Sequence, residues 1–124
     1  MSDIIRIKHF RSDNVSTSKE YHDYVMENLR LACNASSRRM MGEYIIYYNG
    51  KVVGDICDNC LLVKITPASE ELLPDAERAY PYEGSKTLML AVDDVENHSL
   101  MAQLLEGISS ELPEPKAKKR KQTI

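Results

Sequence analysis

Residues 43–65 read Glu43-Tyr44-Ile45-Ile46-Tyr47-Tyr48-Asn49-Gly50-Lys51-Val52-Val53-Gly54-Asp55-Ile56-Cys57-Asp58-Asn59-Cys60-Leu61-Leu62-Val63-Lys64-Ile65, and this stretch decides the fold. It is rich in β-branched and aromatic residues and is interrupted twice by turn dipeptides. Asn49-Gly50 readily takes the two positive φ values of a type I′ turn, and Asp58-Asn59 takes them less comfortably. Two such turns make residues 42–66 a three-stranded meander and set its register. Tyr48 then opposes Lys51, Ile46 opposes Val53, Asp55 opposes Leu62 and Cys57 opposes Cys60.

That register sorts the side chains into two faces. Ile45, Tyr47, Val52, Gly54, Ile56, Leu61, Val63 and Ile65 share one, which is predicted to lie under helices. The other mixes Tyr44, Ile46, Val53 and Leu62 with Lys51, Asp55 and Lys64. Tyr44, Ile46, Val53 and Leu62 are therefore expected to form an interface, most simply that of a homodimer. The competing expectation is that residues 4–10 fold over this face within one chain.

Outward from the meander, Thr17-x-x-Glu20 reads as a capping box that opens a helix over residues 18–33. Tyr21, Tyr24, Val25, Leu29 and Ala32 line its inner face, and Asn34 suits the left-handed position that ends it. Residues 1–15 read as an extension, with Ile4-Ile5-Arg6-Ile7 either a short strand or a frayed end. On the other side, Thr66-Pro67 starts a short helix around residues 69–73, and Pro74 opens another helical turn over 75–79. Pro81 makes residues 80–84 a loop or irregular strand. Residues 86–92 read as a strand. Asn97 caps a last helix with the apolar stripe Leu100, Met101, Leu104, Leu105, Ile108 and Leu112. The fold class is α+β: a two-layer antiparallel sheet with helices on one face, in the order helix, three strands, short helix, two strands, helix. The domain is expected over residues 16–112, with a disordered basic tail over 113–124.

The chain has 124 residues, enough for one domain, and its 43% hydrophobic content excludes a wholly disordered chain. No apolar run is long enough to span a membrane and residues 1–10 lack a signal-peptide pattern, so a cytoplasmic location is expected. Charge is unevenly placed. Residues 113–124 hold five basic side chains, Lys116, Lys118, Lys119, Arg120 and Lys121, against the single acid Glu114, whereas the rest holds 11 basic and 18 acidic ones. An acidic body disfavours broad nucleic-acid binding, leaving weak nonspecific contact through the tail.

Chemistry-bearing motifs are few. Cys57 and Cys60 have a metal-ligand spacing, but Cys33, His9, His22 and His98 do not supply a second pair, so they are weak zinc candidates. A redox role would need the first thiol at a helix N-terminus, whereas both flank a turn beside Asp55 and Asp58. Arg38 and Arg39, with Lys64, are candidates for holding an anion or a partner carboxylate. Met40-Met41 suits either a pliable contact surface or core filling. No nucleophile elbow, phosphate loop or paired-carboxylate motif is present, so neither enzyme activity nor a cofactor is expected.

Arg39-Met40-Met41-Gly42-Glu43-Tyr44, Tyr47, Gly50-Lys51 and Leu62-x-Lys64 together resemble the signature of the TfoX N-terminal domain family, found in the Sxy/TfoX regulators of bacterial competence. Pro81-Tyr82-Glu83-Gly84-Ser85-Lys86, Val92-Asp93-Asp94 and Glu111-Leu112-Pro113 resemble its short single-domain members. The resemblance covers about residues 18–121. It implies a two-layer fold similar to secretion chaperones, a role in transcriptional control alongside the cyclic-AMP receptor protein, and no established catalytic site. Longer members carry a second helical domain, and this chain is expected to be a single-domain member. The function it implies is that of a non-catalytic regulatory or protein-interaction domain with a protein partner such as a transcription factor or the transcription machinery. The alternatives are a nucleic-acid accessory protein working through its tail, or a thiol or metal protein.

Overall fold

A computed structural model describes residues 7–8, 17–40, 43–81 and 84–113. Both predicted turns form: Asn49, Gly50, Asp58 and Asn59 have φ of 55°, 75°, 54° and 52°. They join β3 (Glu43–Tyr48), β4 (Lys51–Cys57) and β5 (Cys60–Lys64), which follow β1 (Ile7–Lys8), α1 (Lys19–Ala32) and β2 (Ser36–Met40). The chain continues through α2 (Pro67–Leu72), β6 (Arg78–Ala79), β7 (Met89–Val92) and α3 (His98–Glu111). The strands form one sheet in the order β1-β6-β7-β5-β4-β3-β2. All pairs are antiparallel except β1 with β6. The architecture is the expected α+β, two-layer one, but the element order gains two strands, β1 and β2, beyond the expected helix, three strands, short helix, two strands and helix.

Three local readings differ. Ser18, not Thr17, caps α1, its hydroxyl accepting from the Tyr21 amide at 3.1 Å. Thr17 instead donates to the Ile56 carbonyl at 3.3 Å and accepts from the Asn59 amide at 3.2 Å, pinning the helix start to the β4–β5 turn. Asn34 is not left-handed, because the chain leaves α1 through an extended Cys33 and goes straight into β2. Part of the turn read as helical at 75–79 is strand β6, since Arg78 and Ala79 pair with Leu90 and Met89 on one side and with β1 on the other.

The larger correction concerns the sheet faces. Tyr48 opposes Lys51 and Tyr47 opposes Val52, but Ile46 opposes Gly54 and Tyr44 opposes Ile56. Val53 is the extra residue of a β-bulge, and one extra residue on β4 reverses the parity of β3 relative to everything beyond it. Tyr44, Ile46 and Val53 therefore join Ile56, Leu61, Val63, Leu90 and Val92 in the core beneath Val25, Met26 and Leu29 of α1 and Met101, Leu104, Leu105 and Ile108 of α3. The interface expected at Tyr44, Ile46, Val53 and Leu62 is thus no surface. The first three are interior to the helix-covered layer, and Leu62 is buried on the opposite face with Cys57, Ala79, Met89 and Ala91.

The seam between β4 and β5 requires glycine at position 54. A Cβ there would lie 2.3 Å from the Leu62 carbonyl oxygen, so only glycine allows β5 to approach. At the top of α3, Asn97 accepts from the Leu100 amide at 3.1 Å. At its end, Lys51 Nζ donates to the carbonyls of Ser109 at 2.9 Å and Leu112 at 3.0 Å, satisfying orphan acceptors from the sheet. α2 follows its Thr66 cap and packs on α3, where Gly107 faces Ala68.

Candidate functional site

Ser36-Ser37-Arg38-Arg39-Met40 has no apolar alternation, yet it is a strand because every residue finds a partner on β3. Among the described residues it is the last strand on its side of the sheet. Pairing places each side chain. Arg38 opposes Ile45 on the face away from the helices, and Arg39 opposes Tyr44 on the helix face. The Arg39 guanidinium lies 6.0 Å from the centre of the Tyr44 ring, a cation–π distance. Met40 is 47% exposed at the strand end.

The helix side of this edge is held by His22. Its ring stacks on Tyr44 with centroids 3.9 Å apart and planes 26° apart. Nε2 lies 2.8 Å from Ser37 Oγ and Nδ1 lies 2.9 Å from Asp23 Oδ1. Asp23 also bonds Lys19 Nζ at 2.9 Å, and that hydrogen bond, followed by the one from His22, holds its carboxyl below the usual range. Ser37, His22 and Asp23 are the groups of a nucleophilic relay, but the acid is half exposed and shared with a lysine. A relay of this kind works when the acid is buried and orients the base from behind. Here the line of bonds works as a strut that fixes α1 against β2. His22 read as an isolated histidine in the sequence, because Ser37 is 15 positions away and only the β2–β3 pairing brings it near.

The opposite face of the sheet carries Glu43, Asp55, Cys57, Cys60 and Lys64. Burial raises the Asp55 carboxyl above its ordinary value, with Lys64 opposing. Burial likewise raises Glu43, with a hydrogen bond to Cys57 opposing and Asp55 reinforcing. Cys57 does oppose Cys60 across the turn, and both are free thiols. Burial and then the Glu43 and Asp55 carboxylates push the Cys57 thiol up, which keeps it protonated and unreactive. Among the described residues no three His, Cys, Asp or Glu side chains gather to hold a metal ion.

Of the residues expected to hold an anion or partner, Arg38 and Arg39 stand together on β2, whereas Lys64 belongs to β5. Strands β4 and β3 lie between, so about 14 Å of sheet separates them. The basic tail residues Lys116, Lys118, Lys119, Arg120 and Lys121 lie outside the described residues, as does His9.

The profile of the TfoX N-terminal domain matches residues 27–106, from the middle of α1 into α3. The chain belongs to the TfoX N-terminal domain family. It is also 36% identical over 107 residues to an uncharacterised 12.7 kDa protein in the trpE 5′ region of Spirochaeta aurantia, an alignment covering 86% of this chain and 93% of that relative. No solved structure matches. The region that identifies this TfoX N-terminal domain contains β2, the bulged meander and Glu43, Asp55 and Cys57. It begins after His22 and ends before the tail. No helix among the described residues is long and apolar enough to cross a membrane.

Proposed function

We propose that this TfoX N-terminal domain is a non-catalytic regulatory module that works in the cytoplasm by binding another protein, in transcriptional control of the kind the Sxy/TfoX regulators exert. The observation that carries this reading is the family match over residues 27–106. The arrangement of the polar groups supports it. His22 bonds both Ser37 and Asp23, and Tyr24 and Tyr48 donate to Glu96 and Glu106. These groups are spent on structure, and the partner is expected to be a transcription factor or part of the transcription machinery.

Deletion of the gene in its native cell, followed by transcript profiling and affinity capture with the full chain, tests the reading. A defined set of transcripts should change and recover with the wild-type chain, and one stoichiometric protein partner should co-purify. Unchanged transcripts together with no partner reject it. The charge of residues 113–124 favours a second reading, a nucleic-acid accessory role. Binding to duplex DNA that falls steeply with salt, and is lost on removing residues 116–124, would favour that instead.

A further inference from the structure

Among the described residues strand β2 is bonded on one flank only, because the sheet they form ends there. In an antiparallel pair alternate residues aim their N–H and C=O groups away from the neighbour, and on an edge strand those groups face outward. Four of the five β2 residues are exposed and Ser37 is half-buried. Such a row of unused donors and acceptors is a template for one more strand.

Charge decides which strand fits. Arg38 and Arg39 project to opposite faces of the sheet from adjacent positions. Neither has a carboxylate partner among the described residues. A strand laid along β2 also alternates its side chains, so two consecutive acidic residues would meet the two guanidinium groups, one on each face, about 5 Å across the seam. A second copy of β2 is a poor occupant, since self-pairing would line four guanidinium groups along one seam and directly opposed like charges destabilise a sheet. Outside residues 113–124 the chain carries 18 acidic and 11 basic side chains, so its net charge is negative there, and the adjacent Arg38 and Arg39 are a local exception that favours an acidic segment.

Accepting the protein-interaction reading above, we propose that the β2 edge docks an extended acidic segment of the partner, which adds a strand to the sheet and sets two consecutive Asp or Glu residues against Arg38 and Arg39. The position opposite exposed Met40 then takes an apolar residue, and the position opposite Ser37 a small polar one.

The test is a selection from a random heptapeptide library displayed on phage, with the full chain as bait. Enriched sequences should carry an adjacent acidic pair in a proline-free centre. A synthetic peptide of that sequence should bind more weakly as salt rises, because exposed charges are screened. It should also slow hydrogen exchange at the β2 amides. The Arg38→Glu, Arg39→Glu double variant should melt as the wild type does, bind that peptide at least tenfold more weakly, and enrich adjacent Lys or Arg pairs when the selection is repeated. N-methylation of alternate peptide amides should abolish binding, since it removes the strand hydrogen bonds while keeping the charge. Selection without acidic pairs, exchange protection elsewhere, or binding that survives N-methylation overturns the proposal. So does an oligothymidylate that protects the same amides and displaces the peptide. Capture of the cellular partner undiminished by the double variant rejects this edge while leaving the interaction reading intact.

Discussion

The bulge at Val53 makes a sharp prediction at two neighbouring isoleucines. Ile46 is 1% exposed beneath α1 and α3, whereas Ile45 is half-buried on the other face of the same strand. Truncating Ile46 to Ala removes three carbons from a closed core, and such a cavity costs about 2–5 kcal/mol. At about 4–8 °C per kcal/mol for a domain of this size, a mid-range loss of ~3 kcal/mol lowers the melting temperature by roughly 12–24 °C. Ile45→Ala suffers the same loss of strand propensity, up to about 1 kcal/mol, without the cavity. Comparing the two variants therefore cancels propensity and leaves packing. Urea melts followed by circular dichroism should show Ile46→Ala at least ~2 kcal/mol less stable than Ile45→Ala with similar denaturant slopes. Lysine at the two positions sharpens the contrast: Ile45→Lys should fold and Ile46→Lys should not, because an unpaired buried ammonium has no compensation. Equal losses, or a greater loss at Ile45, would refute the bulged register and restore the faces that uninterrupted alternation gives.

Other positions test other parts of the fold. Gly54→Ala places a Cβ 2.3 Å from the Leu62 carbonyl, so β4 and β5 must separate; thermal melts should show a loss of about 2–3 kcal/mol, whereas Gly50→Ala, with open space at φ 75°, should lose about 1 kcal/mol through backbone strain alone. Gly107→Ala should destabilise, despite a better helix former, because its Cβ meets the Ala68 Cβ at 2.7 Å, and Ala68→Gly in the same chain should recover part of the loss. Asp55 is raised by burial, so the folded chain keeps a proton that the unfolded chain has lost; its contribution to stability therefore falls as pH rises from about 4 through the raised value. Asp55→Asn should accordingly gain stability relative to wild type over that window in pH-dependent melts, and a flat difference would show the carboxylate to be solvated. Cys57 should resist alkylation at pH 8 until denaturant is added, because it is buried and held protonated by its surroundings.

Arg38 and Arg39 stood out in the sequence as adjacent cations, but their relation to the sheet did not. Ser-Ser-Arg-Arg-Met lacks the alternation that marks a half-buried strand, and what makes it one is the hydrogen-bonded edge that β3 offers. The His22 strut was illegible for a similar reason, since its partners come from α1, β2 and β3 together. Lys64 shares a charge with the two arginines and nothing else, and only strand order separates them.

What the sequence determined by itself was local chemistry. Asn49-Gly50 and Asp58-Asn59 accept positive φ, so they made the turns of the meander wherever the rest of the chain went. Thr66-Pro67 and Asn97 opened helices because capping needs only residues three positions apart. Ile56, Leu61 and Val63 fell on the core face because no irregularity intervenes between them. The faces of β3 were decided by tertiary structure. Tyr44, Ile45, Ile46 and Tyr47 are apolar on both parities, so alternation has no contrast to read there. The decision fell to one unpaired residue, Val53, which the packing of α1 and α3 draws into the core and which turns every β3 side chain to the opposite face.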